Sequence, residues 1–247
     1  MFEIALLLGA GLLAGAMNAL AGGGTFFSFP ALLAIGLPPI TANATNAVAL
    51  WPASMAGAWA ARARLAELRG YLWPLLLAAL LGGLGGGLLL LAGGDELFAG
   101  LIPWLLLLAT LLFAASPWLS RWRAGASDVP AHGPGSLTGH LLVSLYGGYF
   151  GAGMGILQLA ALSIEGHPLA RANALKNLLS AVIYSVASLT FLFAGRVSLY
   201  PFLLLLGGAT LGGYLGGRLG ERLSPRLLRA LVLLIGSLMT GYYFTAD

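Results

Sequence analysis

Lys176 is the sole lysine of the 247-residue chain, and it stands inside an apolar run, "ARANALKNLLSAVIYSVASL". A cation placed in hydrocarbon costs at least about 2.5 kcal/mol, so its default reading is functional and its natural partner is an anion. Snorkelling toward the nearby start of the run is the plainer alternative. Asn173 and Asn177 share a helix face with Lys176. Asn43, Thr45 and Asn46 form a similar polar group in an earlier apolar run, and Asn18 and Gln158 add single amides. Hydrogen bonding between helices is the ordinary use of such amides.

Two glycine clusters accompany these polar groups. Gly22-Gly23-Gly24-Thr25 interrupts the stretch "AGGGTFFSFPALLAIGLPP", and Gly151 and Gly153 interrupt "GAGMGILQLAALSIEGHP". Clustered glycines bare backbone N–H groups and let a ligand approach closely. A helix that starts at such a break aims the positive end of its dipole at the ligand. Ammonium, amides and two helix starts together describe a site for a small anion. The expected substrate-binding set is therefore Gly22, Gly23, Gly24, Thr25, Asn43, Thr45, Asn46, Gly151, Gly153, Asn173, Lys176 and Asn177.

Other chemistries find little support in the sequence. No cysteine is present, which removes disulfides and thiolate chemistry. His132, His140 and His167 have no metal-ligand partner at useful spacing, and His167 reads as a turn residue before Pro168. Glu165 is placed at a membrane edge. No nucleophile–base–orienter set and no phosphate loop is apparent. Neither a catalytic residue, a metal nor a cofactor is expected, and no proton coupling through a buried carboxylate.

The elements that must position these groups follow from composition. The chain is 59% hydrophobic and 8% charged, with a mean hydropathy of +0.92. A soluble domain carries roughly a quarter charged residues. Apolar runs of about 20 residues recur throughout, without the period-2 alternation of a barrel strand. The expectation is an all-α polytopic membrane protein. The pI of about 9.7 is assigned to arginines in short loops, so no nucleic-acid partner is expected. An early acidic residue, Glu3, argues against a cleaved signal at the start. Tryptophans 51, 73, 104, 118 and 122 read as interface anchors.

An internal repeat organises the runs. Shifted by 130 positions, Gly23 falls on Gly153, Gly36 on Gly166 and Pro38 on Pro168. Ala42-Asn43-Ala44 likewise falls on Ala172-Asn173-Ala174. The chain is read as repeat 1 (1–122), a cytoplasmic linker (123–136) and repeat 2 (137–247), together one membrane domain. Full spans are expected at 40–61, 71–92, 97–119, 170–194, 199–217 and 227–246. The run from Thr25 to Gly36 gives about 18 Å of helix, too short for a hydrocarbon core of about 30 Å. If each broken segment turns back as a hairpin, Arg62, Arg64, Arg69, Arg121, Arg123, Arg171, Arg218, Arg222, Arg226 and Arg229 share one side. Arg196 alone faces the other, beside Glu3, Asp95, Glu96 and Asp247. That asymmetry orients a membrane protein. It predicts two inverted repeats, each a broken-helix hairpin plus three transmembrane helices, with both termini outside. Arg196 is the exception.

The patterns "NALAGGGTFFSFPALLAIGLPPITANATN" and "GGYFGAGMGILQLAALSIEGHPLARANALKNLLSA" resemble the sulfite exporter TauE/SafE family. The likeness covers essentially the whole chain. It implies a bacterial-type cell (inner) membrane and transport of sulfite, organosulfonates or related sulfur oxyanions. Export is expected separately, because an inside-negative membrane potential drives an anion outward. Expected partners are the small anion and the bilayer. A membrane-embedded enzyme and a non-transporting scaffold are the alternatives.

Overall fold

A computed structural model describes residues 1–20, 23–66, 68–119, 134–219 and 225–245. Gly22, Trp122 and linker positions 123–133 lie outside the described residues. The described residues are all helical apart from short turns. In chain order the helices are α1 (Phe2–Leu20), α2 (Thr25–Ala34), α3 (Pro39–Ala60), α4 (Arg62–Ala66), α5 (Arg69–Leu119), α6 (Pro134–Tyr149), α7 (Met154–Ile164), α8 (Leu169–Phe193), α9 (Leu199–Leu219) and α10 (Pro225–Thr245). Helix α6 starts inside the expected linker.

Among the described residues, Leu72–Ala115, Ala170–Phe193 and Leu199–Gly216 are long and apolar enough to cross a membrane. The first is two rods. Gly94 takes φ 79° and ψ 165°, which breaks α5 into halves at 69–93 and 95–119. An L residue is disfavoured at that φ, so glycine sits at the bend. Large apolar side chains, among them Trp73, Leu81, Leu88, Trp104, Leu111 and Leu203, are exposed, as a lipid-facing surface requires. Trp51 departs from its expected role. It is half-buried in the middle of α3, where its indole N–H donates to Ser185 Oγ at 2.7 Å.

The two halves fold alike locally. Gly36 and Gly166 take φ 84° and 85°. Pro38 and Pro168, which precede α3 and α8, have φ/ψ of −54°/144° and −56°/146°. A proline at such a position is preorganised to start a helix.

Glycine stripes then lock each half to the other. A Cβ on Gly15 would stand 2.0 Å from the Ala209 carbonyl oxygen, and one on Gly212 1.9 Å from that of Leu12. A Cβ on Gly86 would stand 2.1 Å from the Leu145 carbonyl oxygen, and one on Gly148 2.2 Å from that of Gly83. Backbones this close need bare glycine, and such contact is what holds membrane helices together. The contacts also fix direction. Helix α1 runs parallel to α9, and α6 runs parallel to the first half of α5.

Helices α3 and α8 cross the middle and run antiparallel. The Ser198 N–H donates to Thr45 Oγ1 at 3.0 Å, just past the end of α8 and near the start of α3. At the opposite end, a Cβ on Gly57 would lie 3.2 Å from Asn177 Nδ2. The start of α3, the bend at Gly94 and the end of α8 thus share one end of the bundle, here called the acidic end. Arg62 and the start of α8 lie at the other, the basic end. Helix α1 leaves the acidic end and α2 returns to it, whereas α6 leaves the basic end and α7 returns to it. The equivalent segments of the two halves thus run in opposite directions.

Candidate functional site

The short helices start at mid-depth. Helix α2 has 10 residues and α7 has 11, about 15 and 17 Å, roughly half a bilayer core. Gly24 precedes α2 and donates its N–H to Asn18 Oδ1 at 3.0 Å, on the neighbouring arm of the hairpin. Gly153 precedes α7 with φ 74°. It packs on Ala109, whose Cβ would lie 3.4 Å from an added Cβ.

Both tips open onto one cavity of about 760 Å³. Of the residues expected to bind substrate, Gly23, Thr25, Gly151, Gly153, Asn173, Lys176 and Asn177 line it. Gly24 is buried behind the tip, and Gly22 lies outside the described residues. The first turns of α2 and α7 therefore start at the wall of the same space, where Phe26 and Phe27 donate their N–H groups to the carbonyls of Gly23 and Gly24, and Met154 and Ile156 theirs to Gly151 and Gly153. So do the positive ends of both helix dipoles. Among the described residues no carboxylate lines the cavity and none pairs with Lys176.

The first-repeat amides sit elsewhere. Asn43 Nδ2 donates to the Tyr149 carbonyl at 2.9 Å. Thr45 is held by Ser198, and the Ser28 hydroxyl donates to Asn46 Oδ1. Asn46 Nδ2 reaches Thr25 Oγ1 at 3.3 Å, so it supports the tip from behind. All three are buried and none lies on the cavity wall. The pseudo-symmetry of the sequence is thus broken in space.

Several wall residues were not anticipated. Ser180 and Tyr184 continue the helix face of Asn173, Lys176 and Asn177 at successive turns, so extending that stripe would have found them. Thr210 and Tyr214 come from α9 and Ser54 from α3. Tyr184 hydrogen-bonds Thr25 at the first tip, and its hydroxyl lies 3.2 Å from where a Cβ on Gly151 would be. It bridges the two tips.

His140 lies within α6 and His167 in the turn before Pro168, and neither is a surface residue. His140 and His167 are both buried against Glu165, with His140 Nε2 2.9 Å from Oε1 and His167 Nε2 3.7 Å from Oε2. Ser136 donates to the same carboxylate. The cluster fastens the base of the α6–α7 hairpin at the basic end. Residues 140 and 165 are 25 apart, a spacing with no helical meaning, so only the hairpin brings them together.

An all-helical apolar chain with a polar, cation-bearing cavity at the meeting of two broken helices belongs to the membrane-transporter class of architecture. The chain is a member of the sulfite exporter TauE/SafE family, which it matches over residues 7–243. It is 31% identical over 243 residues to a Haemophilus influenzae "Probable membrane transporter protein", covering 96% of this chain and 92% of the relative. It is 27% identical over 234 residues to the "Probable membrane transporter protein YfcA" of Escherichia coli K12, covering 93% and 85%. A Sinorhizobium "Probable membrane transporter protein ORF9" is 29% identical over 201 residues, covering 78% and 74%. No solved structure matches the chain.

Proposed function

We propose that the chain carries small anions, in particular sulfite, organosulfonates or related sulfur oxyanions, outward across a cell membrane, and that it is not an enzyme. The observation that carries this reading is Lys176, the sole lysine, on the wall of a cavity where two opposed short helices begin and where no carboxylate is found among the described residues. The site offers positive potential from three sources: the ammonium and two helix N-termini. Amides and hydroxyls of Asn18, Asn173, Asn177, Ser54, Thr25 and Tyr184 supply neutral hydrogen-bonding groups around it. The volume exceeds a bare oxyanion, so water or an organic tail fits beside the charged head. The excess of arginine at the basic end supports placing that end in the cytoplasm, with the inverted repeats spanning the membrane and both termini outside. The family description supports the sulfur oxyanion class.

A thermal-shift screen of the purified protein tests the ligand class. Sulfite, sulfoacetate or thiosulfate should stabilise it in a saturable way, with chloride at matched ionic strength as the reference. At 100 times Kd the gain is about 2.7 kcal/mol. Stabilisation by organic cations and by none of these anions would overturn the reading.

A further inference from the structure

The cavity occupies only one half of the membrane depth. On α3 its wall runs from Ala49 to Gly57, toward the basic end, and on α8 from Asn173 to Tyr184, again the half nearer that end. The other half is filled. Phe29, Phe98 and Phe150 are buried there and pack edge-on or tilted, with ring centroids 5.3 to 6.2 Å apart.

Three polar ties close the acidic end beyond this aromatic plug. Asp95, the first residue after the Gly94 bend, accepts the Ile40 N–H of α3 through Oδ1 at 2.8 Å. Its Oδ2 lies 3.6 Å from Arg196 Nη1, in the turn after α8. Ser198, two residues on, donates its N–H to Thr45 on α3. Helix α3 starts with Pro38-Pro39 and has no capping side chain of its own, so Asp95 supplies the cap from 55 residues away.

The 130-residue offset shows how one-sided this is. Asp95 corresponds to Pro225, Arg196 to Ala66, Thr45 to Leu175 and Ser198 to Leu68. Phe29, Phe98 and Phe150 correspond to Leu159, Leu228 and Leu20. Neither the ties nor the aromatic plug can be rebuilt from these residues at the basic end. Arg196, the single arginine that defied the charge asymmetry, has its explanation here.

We propose that Asp95 and Arg196 are gate residues. They hold the acidic end shut, and their release opens a second cavity whose wall is the pseudo-symmetric counterpart of the present one. Asn173, Lys176 and Asn177 then exchange roles with Asn43, Asn46 and Ala47. The buried first-repeat amides are wall residues of that second form. This inference rests on the transport reading above and on the inverted relation of the repeats.

The chain has no cysteine, so single-cysteine labelling is clean. Ala47 is 7% exposed behind the gate, whereas Ala56 lines the present cavity. Vesicles of both orientations carrying Ala47→Cys or Ala56→Cys are treated with a membrane-impermeant maleimide. Ala47→Cys alone should react slowly from the acidic side. Adding Asp95→Ala should speed that reaction about tenfold, and Arg196→Gln less. Arg196→Lys should restore the slow rate. Ala56→Cys should label from the basic side in every background, more slowly once the gate is weakened, which also reports that each variant is folded. An Ala47→Cys rate unmoved by Asp95→Ala, with Ala56→Cys still labelling, would overturn the gate. Gate opening without flux of any oxyanion would leave the gate standing and overturn the transport reading. Flux with no gate effect would do the reverse.

Discussion

Lys176→Met is expected to weaken sulfur-oxyanion binding roughly 30- to 140-fold and to lower flux at subsaturating anion in proportion. The substitution keeps an unbranched apolar stem of similar reach and removes the ammonium, with its charge and its donors. An ion pair about 4 Å long in surroundings of effective dielectric about 20 is worth about 4 kcal/mol of Coulomb energy. Part of that is offset by stripping water from the anion and the ammonium. A net loss of about 2–3 kcal/mol remains, which gives the stated range. Protein folding should not suffer, because Lys176 has no ion-pair partner to leave stranded among the described residues. Lys176→Arg should keep much of the affinity. Titration of the detergent-purified variants by isothermal calorimetry reads the effect. Unchanged affinity in Lys176→Met would make the lysine a bystander.

The glycines divide into two groups with opposite phenotypes. Gly86→Leu and Gly212→Leu should abolish folded protein. At both, even a Cβ would overlap a backbone carbonyl of the facing helix, at 2.1 and 1.9 Å. Backbone cannot yield as a side chain does, so the interface must part. Overpacking of ordinary cores costs about 1–3 kcal/mol, and here two helices would separate along their length. Gly153→Leu should behave differently. Its Cβ would meet Ala109 at an ordinary 3.4 Å, so the added cost comes from φ 74°, about 1–2 kcal/mol. That protein should reach the membrane but transport poorly, because its side chain fills the tip where the anion needs bare backbone. Size-exclusion profiles from detergent extracts, read beside flux, separate the two. Equal loss of monodisperse protein in all three variants would reduce the tips to packing sites.

Much of this architecture was legible in the chain. Gly36-x-Pro38 and Gly166-x-Pro168 force the same turn, and their common offset exposed the repeat. The breaks at Gly23 and Gly153 were readable because a short apolar helix cannot span the bilayer. Lys176 stood out because a charge in an apolar run is rare. What stayed hidden depends on pairings between distant segments. Asn43 and Asn46 look equivalent to Asn173 and Lys176 in sequence. Only the packing of Tyr149 and Ser28 against them removes them from the wall. The Asp95 cap on Ile40 spans 55 residues, and the Glu165–His140 contact needs the hairpin to exist first. Tyr184 was missed for a simpler reason: the polar stripe was followed for one turn of α8 rather than three.

Driving force is the remaining link between site and function. The one carboxylate near the second hairpin, Glu165, is engaged by His140, His167 and Ser136 at the hairpin base, away from the cavity wall. Membrane potential alone suffices for efflux. Each charge gains about 2.3 kcal/mol per 100 mV, so at about 100 mV a dianion leaving a negative interior gains about 4.6 kcal/mol, a gradient of roughly 2,000-fold.

Sulfite flux in proteoliposomes, under a valinomycin-set potassium potential and no pH gradient, puts the whole account to the test. The account predicts flux that rises with the potential in the unaltered protein and collapses in Lys176→Met. Flux that ignores the potential, follows an imposed pH gradient and is abolished by Glu165→Gln would contradict it.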